Sequence, residues 1–275
     1  MDVAVDVPAR DECRSPDVER DCEVCGSSRY STLAHYTTTD WPVVRCDDCG
    51  FVYLGAVPSY EALANEHAWE KSFSAEERRR DRQRFAWIDT TTRWRTKIGH
   101  WIDSYRRRRA LGLTGNVLDI GCGGSCRVPK GPTPFGIEIS PAQAGWAAPH
   151  FEARGGRVIQ AAAIDGFDAF DDGFFSAILM RSYLEHERQP RLVLEKAFEK
   201  LAPGGTIYVR VPDYGSVNRH VMGTKWCGWR FPDHVNYFTA ASLRALAESV
   251  GFRFSHTNRL SLFDDNIIGV LKRPA

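Results

Sequence analysis

An excess of charge is missing from this 275-residue chain: 36 Lys and Arg face 35 Asp and Glu, a formal net charge of +1. No global field therefore favours nucleic acid or an anionic membrane surface. No apolar run approaches the roughly twenty residues that a membrane span needs. The stretch from Met1 to Glu19 is acidic and polar, without the basic-then-apolar order of a signal peptide. These absences predict a soluble, cytoplasmic protein. Large apolar groups are scarce over residues 1–18, which predicts a loose tail. No internal repeat is visible. The remainder is 43% hydrophobic and 26% charged. That supports one full core of ordinary α/β size plus a small accessory module.

Cysteine is not scarce. Eight occur, and four form Cys22-x-x-Cys25 and Cys46-x-x-Cys49, with twenty residues between the pairs. Two cysteines three apart on a tight turn can point both sulfurs at one metal, and the doubled pair has the spacing of a zinc ribbon. Gly26 and Gly50 each follow a pair, where a knuckle needs a residue tolerant of positive φ. Arg45 and nearby backbone N–H groups are placed to offset the charge of four thiolates. Two disulfides or four inert thiols are the alternatives. A reducing compartment disfavours the first, and the paired spacing disfavours the second. Four protein thiolates leave no open coordination position, so the zinc would be structural. Cys13, Cys126 and Cys227 read as simple thiols.

Four segments follow: a tail over 1–18, the ribbon over 19–56, a helical connector or cap over 57–112, and an α/β core over 113–275. The ribbon strands are expected at Tyr30–Ala34, Val43–Arg45 and Phe51–Leu54. In the connector, Trp94, Ile98, Trp101, Ile102 and Tyr105 recur at three- and four-residue steps, as on one face of an amphipathic helix. Glu76–Arg84 and Arg106–Arg109 are dense in charge. They read as solvated helix faces, with a patch for a phosphorylated substrate or RNA as the alternative. From 116 the pattern alternates. Strands are expected at 116–120, 135–139, 157–161, 175–181 and 205–211, and helices at 141–154, 190–201 and 240–250. The helix after Pro190 buries Leu194, Ala197, Phe198 and Leu201. Thr239 caps the last helix and Gly251 stops it. Phe252–Leu260 and Asn266–Lys272 flank Asp264-Asp265 as a closing antiparallel hairpin. Strand–helix repetition predicts a Rossmann-like, mostly parallel sheet with helices on both faces, and ligands at the carboxyl ends of its strands.

The segment Val117-Leu118-Asp119-Ile120-Gly121-Cys122-Gly123-Gly124-Ser125 is a buried strand running into a glycine-rich turn. Phe135-Gly136-Ile137-Glu138-Ile139-Ser140 is a second strand ending in a lone acid. Such a loop lets backbone N–H groups approach an adenosyl cofactor, while the acid takes two ribose hydroxyls. Asp119-Ile120-Gly121-Cys122-Gly123 resembles the first motif of class I S-adenosylmethionine (SAM) methyltransferases. Leu184-Glu185-His186, Leu201-Ala202-Pro203-Gly204-Gly205 and Phe231-Pro232-Asp233-His234-Val235-Asn236-Tyr237-Phe238-Thr239 resemble its later landmarks. The resemblance spans roughly residues 113–275. It implies SAM as cofactor, and it implies that Asp119 contacts the cofactor loop or the methionine amino group. Gly121, Cys122 and Gly123 would curl beneath the cofactor, with Cys122 a small packing residue. Glu138 and its neighbour Ile139 would meet the ribose, and Asp165 would reach the adenine amino group. Arg181 and Ser182 would lie beside the reactive methyl.

Two departures stand out. Ser125 replaces the family's third loop glycine. The segment Cys126–Pro134 is short and carries three prolines where a full helix usually sits; at most one or two turns are expected before Pro129. Methyl transfer is an in-line displacement, and a general base helps when the acceptor is a hydroxyl or carbon acid. His186, expected to begin a helix, and His234 are the candidate catalytic bases, each with a structural hydrogen bond as the alternative. Trp226, Trp229, Arg230 and Phe231 read as a lid or substrate wall, or as loop packing. The favoured function is methylation of a small or medium metabolite such as a sugar, glycan or natural-product intermediate. Methylation of rRNA is a second reading. Arg181-Ser182-Tyr183-Leu184 stands where amino-nitrogen methylation would place its Asn/Asp-Pro-Pro-aromatic signature. A non-catalytic scaffold is a third.

Overall fold

The computed structural model describes residues 20–38, 41–61, 104–110, 112, 114–258 and 265–275. In chain order the strands are β1 (Tyr30–Thr32), β2 (Val43–Cys46), β3 (Val52–Leu54), β4 (Asn116–Ile120), β5 (Thr133–Glu138), β6 (Arg157–Gln160), β7 (Phe175–Arg181), β8 (Leu201–Pro212), β9 (Asn236–Tyr237), β10 (Arg253–His256) and β11 (Asn266–Lys272). They build two sheets. The larger has the order β10-β11-β8-β7-β4-β5-β6 and the smaller β1-β2-β3-β9.

In the larger sheet β6, β5, β4, β7 and β8 run parallel. The antiparallel pair β10–β11 closes its β8 edge. Val117, Leu118 and Ile120 on β4 and Ala177, Ile178, Leu179 and Met180 on β7 are all essentially inaccessible. Near-continuous apolar runs are what strands buried on both faces require. The order reverses at β4, which has β5 on one side and β7 on the other, so a crevice opens at the carboxyl ends of these strands. The helix Ala240–Val250 begins at Thr239, whose side chain and that of Ser242 cap each other's backbone, and it ends at Gly251. The helix Pro141–Glu152 has an N-cap in Ser140 that sequence reading did not assign.

Several boundaries move. No helix of any length forms between β4 and β5. The proline-rich segment is an extended loop, and its last proline, Pro134, pairs with Val117 as part of β5. The Arg154 guanidinium replaces the missing helical hydrogen bonds by donating to the carbonyls of Val128, Pro129 and Pro132, the first and last at 2.8 and 3.0 Å, and to the Cys126 sulfur at 3.2 Å. Leu201 is buried as expected but starts β8; the helix before it spans Pro190–Lys200. A short helix, Ala163–Gly166, precedes β7, unannounced by periodicity. Trp94, Ile98, Trp101, Ile102, Glu76–Arg84, Cys13 and Asp264 lie outside the described residues. Tyr105 sits in a helical stretch over 104–110 and is 58% exposed, so it does not share a buried face there.

The ribbon's sheet takes its fourth strand from the core. Val52 pairs with Tyr237 and Tyr53 with Asn236, and the Leu54 amide donates to the Val235 carbonyl at 2.9 Å. Phe51, Tyr53, Val44 and Cys46 share one apolar cluster with Phe238, Leu243 and Leu246. No helix among the described residues is long and apolar enough to cross a membrane.

Candidate functional site

A cavity of about 890 Å³ opens at the reversal point, within the roughly 300–1,000 Å³ usual for small-molecule sites. One wall is the turn after β4. Gly121 and Gly123 both have φ of +63°, a conformation that side chains rarely adopt. A Cβ on Gly121 would also stand 3.1 Å from the Tyr183 ring. The Glu138 carboxylate, at the end of β5, accepts from the Gly123 amide at 2.8 Å and from the Ser140 amide at 3.0 Å. One side chain thus ties the loop to the next helix start while remaining on the cavity wall. Ile139, Arg181 and Ser182 line the same space. Ser182 has φ +51°, the single positive value outside glycine among the described residues, and turns the chain sharply out of β7.

Three predicted positions fall elsewhere. Cys122 is wholly buried against Ala147 and Phe151, its thiol pushed up by burial. Its loop passes the cavity, but its sulfur does not line it. Asp165 sits exposed on the short helix after β6 and is absent from the lining, which Ala161, Ala162 and Ala163 provide instead. Asp119 lies beneath the loop, 1% exposed, and neither carboxylate oxygen has a hydrogen-bond partner. Burial pushes it up to about 7 against the opposing charges of Arg127, Arg107 and Arg181.

Asp119 therefore carries a pH dependence of known sign. An unfolded aspartate has lost its proton by pH 5, whereas the folded group keeps it to about 7. Its contribution to stability is full below the unfolded pKa and is lost as pH rises to about 7. At about 1.4 kcal/mol per unit, the loss is on the order of 4 kcal/mol. Asp119→Asn is expected to flatten the decline of the thermal midpoint between pH 4 and 7.5 in cofactor-free protein. Parallel curves for the two proteins would contradict this.

The opposite wall brings the two predicted histidines together. His186 lies in a turn over 184–186, not at a helix start, because the helix waits for Pro190. The rings of His186 and His234 are 4.7 Å apart and perpendicular. Nδ1 of His186 meets the Asp233 carbonyl and Nδ1 of His234 the Gly228 carbonyl, both at 2.8 Å. A carbonyl only accepts, so both rings donate from Nδ1, which leaves the lone pair of a neutral ring on Nε2. Burial, then the Arg230 charge, holds His186 down at about 4, hence neutral.

Beside them lies Glu185, a role that sequence reading missed although its motif was marked. It is 2% exposed, and Oε2 has no hydrogen-bond partner. Burial pushes it up to about 8 against Arg210 and Arg230. Arg210 was also missed. It pairs with Arg181 across β7 and β8, and both line the cavity. Glu187 was missed too; its buried carboxylate accepts from the hydroxyls of Tyr60 and Tyr183.

Trp226 and Trp229 are not a substrate wall. They pack against Val43, Val52 and Leu54 of the ribbon, and Phe231 is partly buried on the same cluster. From that segment Cys227, Gly228 and Arg230 reach the cavity. Arg230 is paired with Asp233 at 2.9 Å. Of Arg106–Arg109, only Arg108 and Arg109 are exposed, and Arg107 acts on Asp119.

The four ribbon sulfurs converge. Cys22 and Cys49 lie 3.5 Å apart, as do Cys25 and Cys46, and all four sulfurs are within 4.8 Å of one another. A tetrahedral ion with bonds of about 2.3 Å needs sulfur separations near 3.8 Å, so the set fits zinc. Gly26 and Gly50 have φ of +76° and +74° and close the two knuckles. The cation facing the cluster is Arg20 rather than the exposed Arg45. Arg20 is in electrostatic contact with Cys22 and donates to the carbonyls of Arg188 and Val235 and to the Asn236 side chain.

A reversing parallel sheet with this glycine turn, acid and cavity defines a nucleoside-cofactor enzyme of the SAM-dependent methyltransferase fold. Residues 91–257 match the family model described as a methyltransferase domain, and the chain belongs to that family. A ubiquinone biosynthesis O-methyltransferase of Paraburkholderia xenovorans is 26% identical over 170 residues, 56% of this chain and 69% of that protein. A protein of the same description from Psychrobacter arcticus is 24% identical over 188 residues, covering 62% and 70%. A SAM-dependent methyltransferase structure from Archaeoglobus fulgidus aligns over 62% of this chain and 93% of its own, with 16% identity and a TM-score of 0.49.

Proposed function

We propose that the protein transfers the SAM methyl group to a small or medium-sized metabolite, a sugar, glycan or natural-product intermediate. One observation carries this reading: a single cavity is lined by the glycine turn and Glu138 on one side and by His186, His234, Arg181 and Arg210 on the other. Of the proline-rich loop, tied to Arg154, only Arg127 lines that cavity. The fit to SAM rests on chain features: the left-handed glycines, the carboxylate at the end of β5 and the orphaned Asp119 beneath the turn.

Bound there, SAM would supply an electrophilic methyl. The chain's own residues have separate tasks. Glu138 would accept the ribose hydroxyls, and the Gly121–Gly123 backbone would lie under the cofactor. Arg181 and Arg210 would orient an acceptor bearing negative charge or hydrogen-bond acceptors. His186, neutral with its lone pair on Nε2, and His234, whose Nδ1 meets the Gly228 carbonyl, would take an acceptor proton. Alignment of this kind is worth about 7–11 kcal/mol of barrier. We also read the four-cysteine set as a structural zinc site, stable in a reducing cytoplasm. We likewise propose the divisions at 1–18, 19–56, 57–112 and 113–275, with the core strand β9 pairing with β3 of the ribbon. The division of the basic run between Asp119 and solvent favours a metabolite over RNA.

The test is calorimetry with SAM and its demethylated product, followed by transfer of labelled methyl into fractionated metabolite extract. Tight binding of both compounds with a labelled small-molecule product is expected. Absence of SAM binding would overturn the reading, and label appearing only in RNA would replace the acceptor class.

A further inference from the structure

Two clusters of metal-ligating side chains occur among the described residues. One is the ribbon. The other is Glu185, His186 and His234, each offering one ligand atom, all within 4.8 Å of one another. We propose that these three residues form a second metal site, for a divalent transition-metal ion, on the wall of the cavity.

Donor chemistry selects the ion. Two imidazoles and one carboxylate suit zinc, cobalt, iron or nickel better than magnesium or calcium, which take oxygen ligands. Outer contacts match the assignment independently. Histidines that bind metals almost always donate their other ring N–H to a carbonyl or carboxylate, which fixes tautomer and orientation. Both rings here do so at 2.8 Å. Glu185 supplies an oxygen that is nine-tenths buried and lacks a hydrogen-bond partner, an arrangement that is costly without a ligand.

The three groups are also held rigidly. The Glu185 carbonyl accepts from the Val235 and Asn236 amides at 2.7 and 3.1 Å, and the Arg230 carbonyl accepts from the His234 amide at 2.7 Å. The Asn236 side chain donates to the Leu184 and Glu187 carbonyls at 2.8 and 2.7 Å. Turn and loop are thereby clipped together before any ion arrives. Of the two guanidinium groups acting on Glu185, Arg230 is neutralised by Asp233. Arg210 remains, so nitrogen donors rather than net negative charge must supply the affinity. Three protein ligands leave coordination positions open to water or to an acceptor oxygen. An ion held there occupies the Nε2 positions, so its service to the acceptor would replace base action by the two histidines; that service rests on the methyl-transfer reading, whereas its binding does not.

Cobalt(II) titration of the zinc-loaded full chain separates the outcomes. We expect one added equivalent, with weak visible d–d bands and no thiolate charge-transfer absorption. Glu185→Gln and His186→Gln are each expected to weaken that equivalent more than about 100-fold, beyond the roughly 10–100-fold cost of losing an outer contact. Ribbon zinc should stay bound in both. If either variant fails to fold, the wild-type chain decides, because two imidazoles must show paramagnetically shifted ring protons. No second equivalent, thiolate bands alone, unshifted histidines or unchanged affinity in the variants would each overturn the site. SAM calorimetry on the same samples keeps a failure of the methyl-transfer reading distinct.

Discussion

Replacing Cys46 with serine is expected to loosen the loop carrying His234 as well as the ribbon. Cys46 is inaccessible, ends β2 and brings its sulfur to 3.5 Å from that of Cys25. A structural zinc ion contributes about 10–16 kcal/mol in small modules, comparable with the whole stability of a typical domain, about 5–15 kcal/mol. Loss of even 4 kcal/mol would lower the midpoint by roughly 8–16 °C at this size. The route to the core is covalently short and physically continuous. β3 pairs with β9, and His234 is two residues before β9. Trp226 and Trp229 rest on Val43, Val52 and Leu54. Arg191, on the helix Pro190–Lys200, donates to the carbonyls of Glu23 and Val24. Hydrogen exchange is the measurement. Residues 226–238 should exchange much faster in Cys46→Ser, or after zinc removal, while 116–138 keep their protection. Equal protection in both regions would show the ribbon to be an independent module.

Much of this was legible because it depends on short-range pattern. The β4 and β7 strands are nearly unbroken apolar runs, and Thr239 and Gly251 bracket a helix by local chemistry alone. The double cysteine pair and the Gly121–Glu138 spacing likewise depend only on neighbours in sequence. What was not legible depends on distant partners. Asn236-Tyr237 has no strand signal, and becomes β9 because Val52-Tyr53 offers an open edge. Arg154 gives no hint in sequence that it satisfies a loop more than twenty residues earlier. The tryptophans at 226 and 229 look like a ligand wall until the ribbon supplies the apolar surface they cover. Glu185 shows the same limit: its motif was visible, but the burial that leaves its Oε2 without a hydrogen-bond partner is a property of packing. Asp165, exposed and absent from the lining, shows the complementary limit, since four aspartates between 165 and 172 carry no information about which faces inward.

Glu138→Ala is expected to cost the largest share of cofactor affinity of any single substitution in the glycine-turn wall. A carboxylate accepting two hydroxyls makes two charge-assisted hydrogen bonds, each worth about 1.5–3 kcal/mol. Their joint loss corresponds to roughly 100- to 10,000-fold in the dissociation constant. The variant also gives up the bonds from the Gly123 and Ser140 amides, so weaker binding alone would not separate a ligand contact from a loosened loop. The separation comes from the ligand. Wild-type protein should bind the demethylated cofactor far better than its 2′-deoxy analogue. Glu138→Ala should bind the two alike, because the partner of the missing hydroxyl is gone. A variant that merely relaxes the turn would weaken both ligands by one factor and leave their ratio untouched. Thermal midpoints of the unliganded proteins provide the control, since a collapse of the fold would appear there first. An unchanged ratio with an intact fold would assign Glu138 to bracing the turn and move the ribose contact elsewhere on the cavity wall.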